Sequence, residues 1–396
     1  MRRGLARRRP RNELMATAET LARTMVAQHA ADVDARARFP VESFAAIKAA
    51  GLLGLMVPEE LWGEGAPASD ITAICSILGR ACAATGLIFA MHHMQVASLL
   101  NSSLDSAWHR GLLRRIATEQ LLAGSATTEG GIGGDIRSSA CAVVAHGDRI
   151  TVEKRCTVIS YGREADIVLL TARRSPQSPP SDQVLVALTR EDFRLERTAA
   201  WDTLGMRGTC SETFHVIAEA GAEQICGRPF SEIVAQSMLP TSHLFWSGVW
   251  HGIAADAVGK AQSIVRTRAR QAPGVEPSGA RRLAVATRRL QIMRAGILDA
   301  GRLLSEAQSR AEGTGGSAFA IAMSNLKVVS SQLAIEIVHD AMQICGIAGY
   351  RNDGPHSLAR HLRDATSAVV MINNDRIESN IASLMPISKH ESSLIA

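Results

Sequence analysis

Two histidines stand side by side in AMHHMQ, His92 and His93, and an imidazole is the side chain best suited to take or give a proton near neutral pH. On an apolar helix, however, paired histidines are more often core or interface residues. Ser160, in CTVISYGREAD, offers a hydroxyl at the end of a β-branched run, and Arg266 and Arg268, in VRTRARQ, offer cations. The glycine-rich stretch TTEGGIGGD, residues 127–135, reads as a turn. Near the C-terminus, Asp375 and Glu378 are carboxylates able to act as general bases or to lie as surface charge. Seven cysteines, at positions 75, 82, 141, 156, 210, 226 and 345, include no CxxC pair and have no histidine at ligand spacing. Neither a metal site nor a disulfide frame is expected, and the cysteines read as small buried hydrophobes.

These residues must be held by elements that the hydrophobic pattern outlines. A hydrophobic fraction of 46% over 396 residues can build a substantial core, and an aromatic share of only 4% points to helices packed through small aliphatic side chains. Residues 13–120 read as helical, with LMATAETLARTMVAQHAADV apolar at three-to-four spacing and SDITAICSILGRACA opened by a Ser-Asp cap. In residues 121–230 the period changes: LLAGSATTEG, CAVVAH, RITVEK, CTVIS, DIVLLTAR, DQVLVALT and TFHVIAEA are short β-branched runs between turn residues. From 231 to 396 helical periodicity returns in four long segments, which suggests a bundle. The expected fold class is α+β, mainly α: an N-terminal helical domain, a central β-barrel or sandwich, and a C-terminal four-helix bundle.

Ahead of these elements, residues 1–12, MRRGLARRRPRN, hold much of the formal charge of +5 and read as a flexible, solvated leader. Without them the balance is near neutral, so no nucleic-acid partner is expected. No apolar run follows the arginines, as a secretory signal requires, and no stretch reaches the roughly 20 apolar residues of a membrane span. A cytoplasmic protein with no membrane contact is the expectation.

A β domain between two helical regions is an uncommon order, and local strings fall in register with it. AGLLGLMVPEELWGEG fits a G-hydrophobic-P-E-x-x-G-G passage, and TTEGGIGGD fits T-E-P-G-x-G-S-D with Gly130 for the proline and Gly134 for the serine. WDTLGMRGTCS at residues 201–211 fits L-G-M-R-G-T-x-S, AMQICGIAGY at 341–350 fits A-x-Q-x-x-G-G-x-G-Y, and LRDA at 362–365 fits the arginine-aspartate string that follows. Together these strings resemble the acyl-CoA dehydrogenase family over nearly the whole chain.

That resemblance implies FAD as cofactor and assigns it contacts. Thr128 would meet the edge of the flavin ring, and Ser160 stands where the family has a threonine whose hydroxyl lies near N5. Val158 replaces a tryptophan that would stack on the ring. Arg268, or Arg266 under a shifted loop, resembles the arginine that reaches the diphosphate of a neighbouring subunit's flavin. Gln343 and Gly346 resemble the segment closing over its ribose or adenine, and Asn374 is counted with the cofactor contacts. A site shared in this way implies a homo-oligomer, a dimer or a tetramer.

The family's usual chemistry, α,β-oxidation of an acyl thioester, needs a carboxylate opposite the flavin. The resemblance places that glutamate nine residues after Arg363, which is Ile372, or in a second branch directly after Arg268, which is Ala269. Both positions lack a carboxylate. If Ile372, Asp375 and Glu378 share a helix, a step of three residues turns a side chain about 300° and moves it roughly 4.5 Å, so neither acid is in place without a change of register. Three readings follow: dehydrogenation of a CoA or acyl carrier protein thioester with an unrecognised base; a monooxygenase or oxidase using reduced flavin from a partner flavin reductase, with His92, His93 and Ser160 as its catalytic set; and a scaffold that has lost flavin.

Overall fold

The structure, a computed structural model, describes residues 8–102, 104–130, 136–309 and 316–388. Gly134 and the rest of residues 131–135, like residues 1–7 of the basic leader, lie outside the described residues. Helix α1 (Arg11–Leu21) continues through one π turn, Ala22–Val26, into α2 (Ala27–Ala35), followed by α3 (Val41–Ala49), α4 (Ala68–Ala81), α5 (Ala83–Ser102) and α6 (Ala107–Glu119). Where it is described, the leader stays largely exposed and is fastened by ion pairs. Arg9 grips Glu64 at 2.5 and 2.8 Å, and the buried Asp70 takes Arg11 at 2.7 Å and Arg8 at 3.3 Å. A carboxylate removed from water needs such cations.

The central region forms two sheets. Strands β1 (Ala123–Ala126), β4 (Ile167–Arg173) and β5 (Gln183–Thr189) make one, in the order β1-β4-β5, with β1 and β4 parallel. Strands β2 (Val144–His146), β3 (Arg149–Ile159), β7 (Glu212–Gly221) and β6 (Phe193–Ala199) make the other, antiparallel and in the order β2-β3-β7-β6. RITVEK and CTVIS thus join into one long strand. Strand β6, FRLERTA, is absent from the β-branched runs because it lies at a sheet edge with Arg194, Glu196 and Arg197 on it. Strands β4 and β5 are buried along nearly their whole length, which erases their period of two. Between the sheets Lys154 is buried, donating to the Thr171 carbonyl at 2.7 Å and hydroxyl at 2.8 Å, with Glu129 4.0 Å away.

The C-terminal region opens with α7 (Phe230–Ile233) and a π turn, Val234–Met238, and then runs through α8 (Leu239–Gln271), α9 (Ala280–Ser309), α10 (Ser317–Cys345), α11 (Ile347–Tyr350), α12 (Ala359–Val370) and α13 (Asn374–Leu384). The expected fourth long helix is therefore two shorter ones, divided at residues 371–373. This removes the helical arithmetic for Asp375 and Glu378, which lie exposed on α13, a different helix from Arg363. Helix α8 ties the bundle to the N-terminal helices through close backbone approach. A Cβ on Gly252 would stand 2.2 Å from the Ser76 carbonyl oxygen of α4, so only glycine fits there. Contrary to the sequence expectation, α5 and α10 do reach the length and apolar composition of membrane spans. The α5 stretch is 89% buried within the protein, as a core helix is, and the α10 stretch 44%.

Candidate active site

The end of β3 sets the first part of the site. Between Cys156 and Ile159 the pairing with β7 slips by one residue, a β-bulge that frees the Val158 backbone from the ladder. Thr128 repairs the loss: its hydroxyl donates to the Val158 carbonyl at 2.7 Å and accepts from the Val158 N–H at 3.1 Å. Thr128, Val158 and Ser160 are thereby brought together, all three half-buried. Glu129, next to Thr128, pins the same loop by accepting from the Ser139 hydroxyl at 2.9 Å and from the N–H groups of Ala140 and Cys141 at 3.0 and 2.9 Å.

A second loop meets this one. Ser160 lies 2.8 Å from the Ser211 hydroxyl, Ser211 2.7 Å from the Thr209 hydroxyl, and Thr209 2.9 Å from the Met206 carbonyl. The backbone around these hydroxyls is strained, with Tyr161, Met206 and Cys210 at φ of 43°, 52° and 46°. The Tyr161 N–H donates to the Thr209 carbonyl at 2.8 Å and so locks the two loops together.

The L-G-M-R-G and R-D-A strings prove to be two halves of one clamp. Asp364, buried on α12, accepts from the Met206 N–H at 2.7 Å, and burial pushes its carboxyl up to about 6. A Cβ on Gly205 would stand 2.1 Å from the Arg363 carbonyl oxygen, so the loop lies flat against α12. Arg363 donates to the Leu204 carbonyl at 3.0 Å and grips Asp34 of α2 with both its terminal nitrogens, while Arg207 donates to the Asp34 carbonyl at 2.9 Å. One loop thus fixes the sheets against both helical regions.

Beyond α12 comes the position of the absent glutamate. Ile372 sits in the turn at φ 51° and is 41% exposed. Its carbonyl accepts from Lys327 of α10 at 2.7 Å, and Lys327 also donates to the Asn374 side-chain oxygen at 2.6 Å. The Asn374 amide nitrogen in turn donates to the Ser331 hydroxyl at 3.0 Å. Both ends of the Asn374 amide thus have partners inside the protein. Lys327 is buried, its ammonium 5.8 Å from the Trp250 ring centroid, and desolvation pushes it down to about 8.

The histidines lie elsewhere. His92 and His93 are fully buried and hold the AGLLGLM passage: Nε2 of His92 donates to the Leu53 carbonyl at 2.8 Å and Nε2 of His93 to that of Leu52 at 3.0 Å. Nδ1 of His92 accepts from the Ala123 N–H at 3.0 Å, which uses its second nitrogen and fixes a neutral tautomer. Burial pushes His92 down to about 4 and holds His93 well below the usual imidazole range. At the far end of the bundle, Arg268 donates to the Ser278 carbonyl at 3.0 Å, with Gly279 packed between its guanidinium and Ile344. It therefore stands beside the segment carrying the exposed Gln343 and Gly346, whereas Arg266 and Ala269 are exposed on α8.

Lys327, Ser211, Asp34 and Asp364 were not among the expected residues. A lone lysine inside the apolar run MSNLKVVSS and the paired hydroxyls of GTCS are the signals that point to the first two.

Three regions in this order, with hydroxyl-lined, strained loops where the sheets meet the bundle, form an architecture of two helical regions joined through a central pair of sheets. Residues 10–120 match the acyl-CoA dehydrogenase N-terminal domain and residues 233–371 the acyl-CoA dehydrogenase C-terminal domain. The chain is 27% identical over 386 residues to the "Probable acyl-CoA dehydrogenase fadE25" of Mycobacterium leprae, covering 94% of each chain. It superposes on butyryl-CoA dehydrogenase from Megasphaera elsdenii with a TM-score of 0.82 at 17% identity, covering 95% and 98% of the two chains. On FMN-bound TdsC, a dibenzothiophene monooxygenase from Paenibacillus sp. A11-2, the TM-score is 0.83 at 19% identity, covering 97% and 100%. The chain belongs to the acyl-CoA dehydrogenase family, and with it to the flavin-dependent oxidoreductases.

Proposed function

We propose that the chain binds FAD between the Thr128–Ser160 loops and the bundle and uses it on a small organic substrate in a monooxygenase or oxidase reaction, with no carboxylate taking a substrate proton. The bound flavin would supply hydride or oxygen chemistry at its N5 side. Ser160, half-exposed at the end of the bulged strand, is the hydroxyl that would face it, and Val158 leaves room on the ring's face where a larger side chain would stack. Arg268, Gln343 and Gly346, clustered at an exposed end of the bundle, would hold the diphosphate and adenine half in a second subunit, which makes a homodimer or tetramer the working unit.

One observation supports this choice of chemistry: the position where the family resemblance puts a glutamate carries Ile372, and the acids nearest in sequence are unsuitable. Asp364 is buried and bonded to the Met206 N–H, while Asp375 and Glu378 point from the exposed face of α13. Lys327 does not substitute, because its ammonium is turned onto the Ile372 carbonyl and Asn374. Nor do the histidines, whose Nε2 atoms are engaged by Leu52 and Leu53; Ser160 is the one member of the expected set that stays open to a ligand. Dehydrogenation of a CoA or carrier-protein thioester is the second reading, favoured by the similarity to curated acyl-CoA dehydrogenases.

The experiment begins with the visible spectrum of the purified chain with added FAD. Absence of flavin binding would leave only a scaffold. With flavin bound, the proposal expects no anaerobic bleaching by acyl thioesters, and oxygen consumption once a flavin reductase is supplied. Bleaching by a thioester instead would establish dehydrogenation.

A further inference from the structure

The line of hydroxyls running inward from Ser160 has a property that no single hydroxyl has. A hydroxyl carries one proton to give and two lone pairs to receive with. The line ends at the Met206 carbonyl, which accepts from three donors: the Thr209 hydroxyl at 2.9 Å, the Thr209 N–H at 3.1 Å and the Trp201 indole N–H at 3.1 Å. Two self-consistent arrangements follow. In one, Thr209 donates to Met206, Ser211 to Thr209 and Ser160 to Ser211, so that Ser160 shows only lone pairs outward. In the other, Thr209 donates to Ser211 and Ser211 to Ser160, so that the Ser160 proton points outward, while Met206 keeps its other two donors.

We infer that Thr209 and Ser211 are positioning residues that let Ser160 reverse between donor and acceptor as the flavin beside it changes redox state. This rests on the flavin-binding reading above. Oxidised flavin presents a lone pair at N5 and reduced flavin an N–H, so a hydroxyl that serves both must turn round, and its own proton must then go inward. Ser211 and Thr209 give it that destination. Thr209 is 1% and Ser211 5% exposed, so water does not stand in for them. The three left-handed residues at Tyr161, Met206 and Cys210, joined by the Tyr161 to Thr209 backbone bond, hold the hydroxyls in line.

The test is the reduction potential of the bound flavin, measured with the FAD-loaded chain and its variants. Ser211→Ala leaves Ser160 able to donate outward but gives its proton no inward acceptor, which disfavours the reduced form. The oxidised-to-reduced ratio at fixed poise is expected to rise about tenfold, about 30 mV lower for a two-electron couple. Thr209→Val, one hydroxyl further in, is expected to shift the ratio the same way by about threefold, and Thr209→Ser to restore it. If the variants bind flavin and melt earlier yet keep the wild-type potential, the hydroxyls are only structural and the inference falls. If the wild-type chain binds no flavin, the functional reading falls and takes the inference with it. Should one variant not fold, the other still decides, since each breaks the line at a different hydroxyl.

Discussion

The two sides of the candidate site contrast. On the sheet side hydroxyls are plentiful: Thr128 repairs a bulge, and Ser160 heads a line of hydroxyls beside a small Val158. On the bundle side a buried support is present with no carboxylate upon it. Lys327, Asn374 and Ser331 hold the 371–373 turn in a buried network, yet the side chain that the turn presents is isoleucine. A buried network of this kind is costly unless its polar atoms are paired, and here Lys327, Asn374 and Ser331 each have partners around a position with no proton chemistry. The network therefore fixes the shape of the turn, and the side chain that the turn presents is apolar.

Of the changes that test this contrast, placing a carboxylate on the turn has the largest expected effect. Ile372→Glu is expected to give acyl-thioester-dependent anaerobic bleaching of bound flavin at a rate roughly 10²-fold or more above wild type, the usual scale for a positioned general base. Stopped-flow absorbance reads it directly, and a variant that stays as slow as wild type would mean that the wall has moved as well as changed. Next comes the support. Lys327→Met leaves the Ile372 carbonyl and the Asn374 oxygen without their donor, and a loss of about 3 kcal/mol in urea unfolding is expected, a few tenths if the turn simply repacks.

The third effect is a pH dependence outside the chemistry. His92 and His243 are buried and pushed down to about 4, and His93 is lowered as well, all three chiefly by desolvation. Unfolded imidazoles bind protons from about 6.5 downward, so native stability is present above that pH and drains as pH falls toward 4, by about 3 kcal/mol for each of the first two. Asp364, raised to about 6, takes a proton in the folded state first and so adds about 3 kcal/mol over nearly the same window. The imidazoles outweigh it, and Tm is expected to fall between pH 6.5 and 4. Asp364→Asn, which cannot take the proton, should make that fall steeper; an unchanged slope would mean that the carboxyl is not titrating there.

The order of helices, sheets and helices was legible because period and composition change sharply at the boundaries, and so were the motif strings, of which WDTLGMRGTCS falls on a loop and LRDA inside α12. Their work was not. L-G-M-R-G and R-D-A look like site residues in a linear reading, but Gly205, Asp364, Arg363 and Asp34 form an inter-region clamp whose logic is a contact across more than 150 residues. The break between α12 and α13 was missed because VVMINND carries no glycine or proline, and the turn is made by isoleucine in a conformation that its branched side chain disfavours. Glu129 and Lys154 were invisible for a related reason: a buried charge reads as a surface one until its partners are known.

That same isoleucine sets the smallest effect and the finest test of the comparison. Ile372 holds φ 51° with 41% of its surface exposed, so burial offsets the strain only in part. Asparagine tolerates the left-handed region, and Ile372→Asn is expected to stabilise the fold by about 1 kcal/mol in urea unfolding. The Lys327 bond goes to the backbone carbonyl and is untouched by the change. A stabilised variant with weaker substrate binding would mean that the isoleucine is kept for the pocket at the turn's expense, which is what an apolar wall in place of a base requires. A destabilised variant would place its side chain's value in packing instead, and the two sides of the site would then differ by accident of repacking rather than by chemistry.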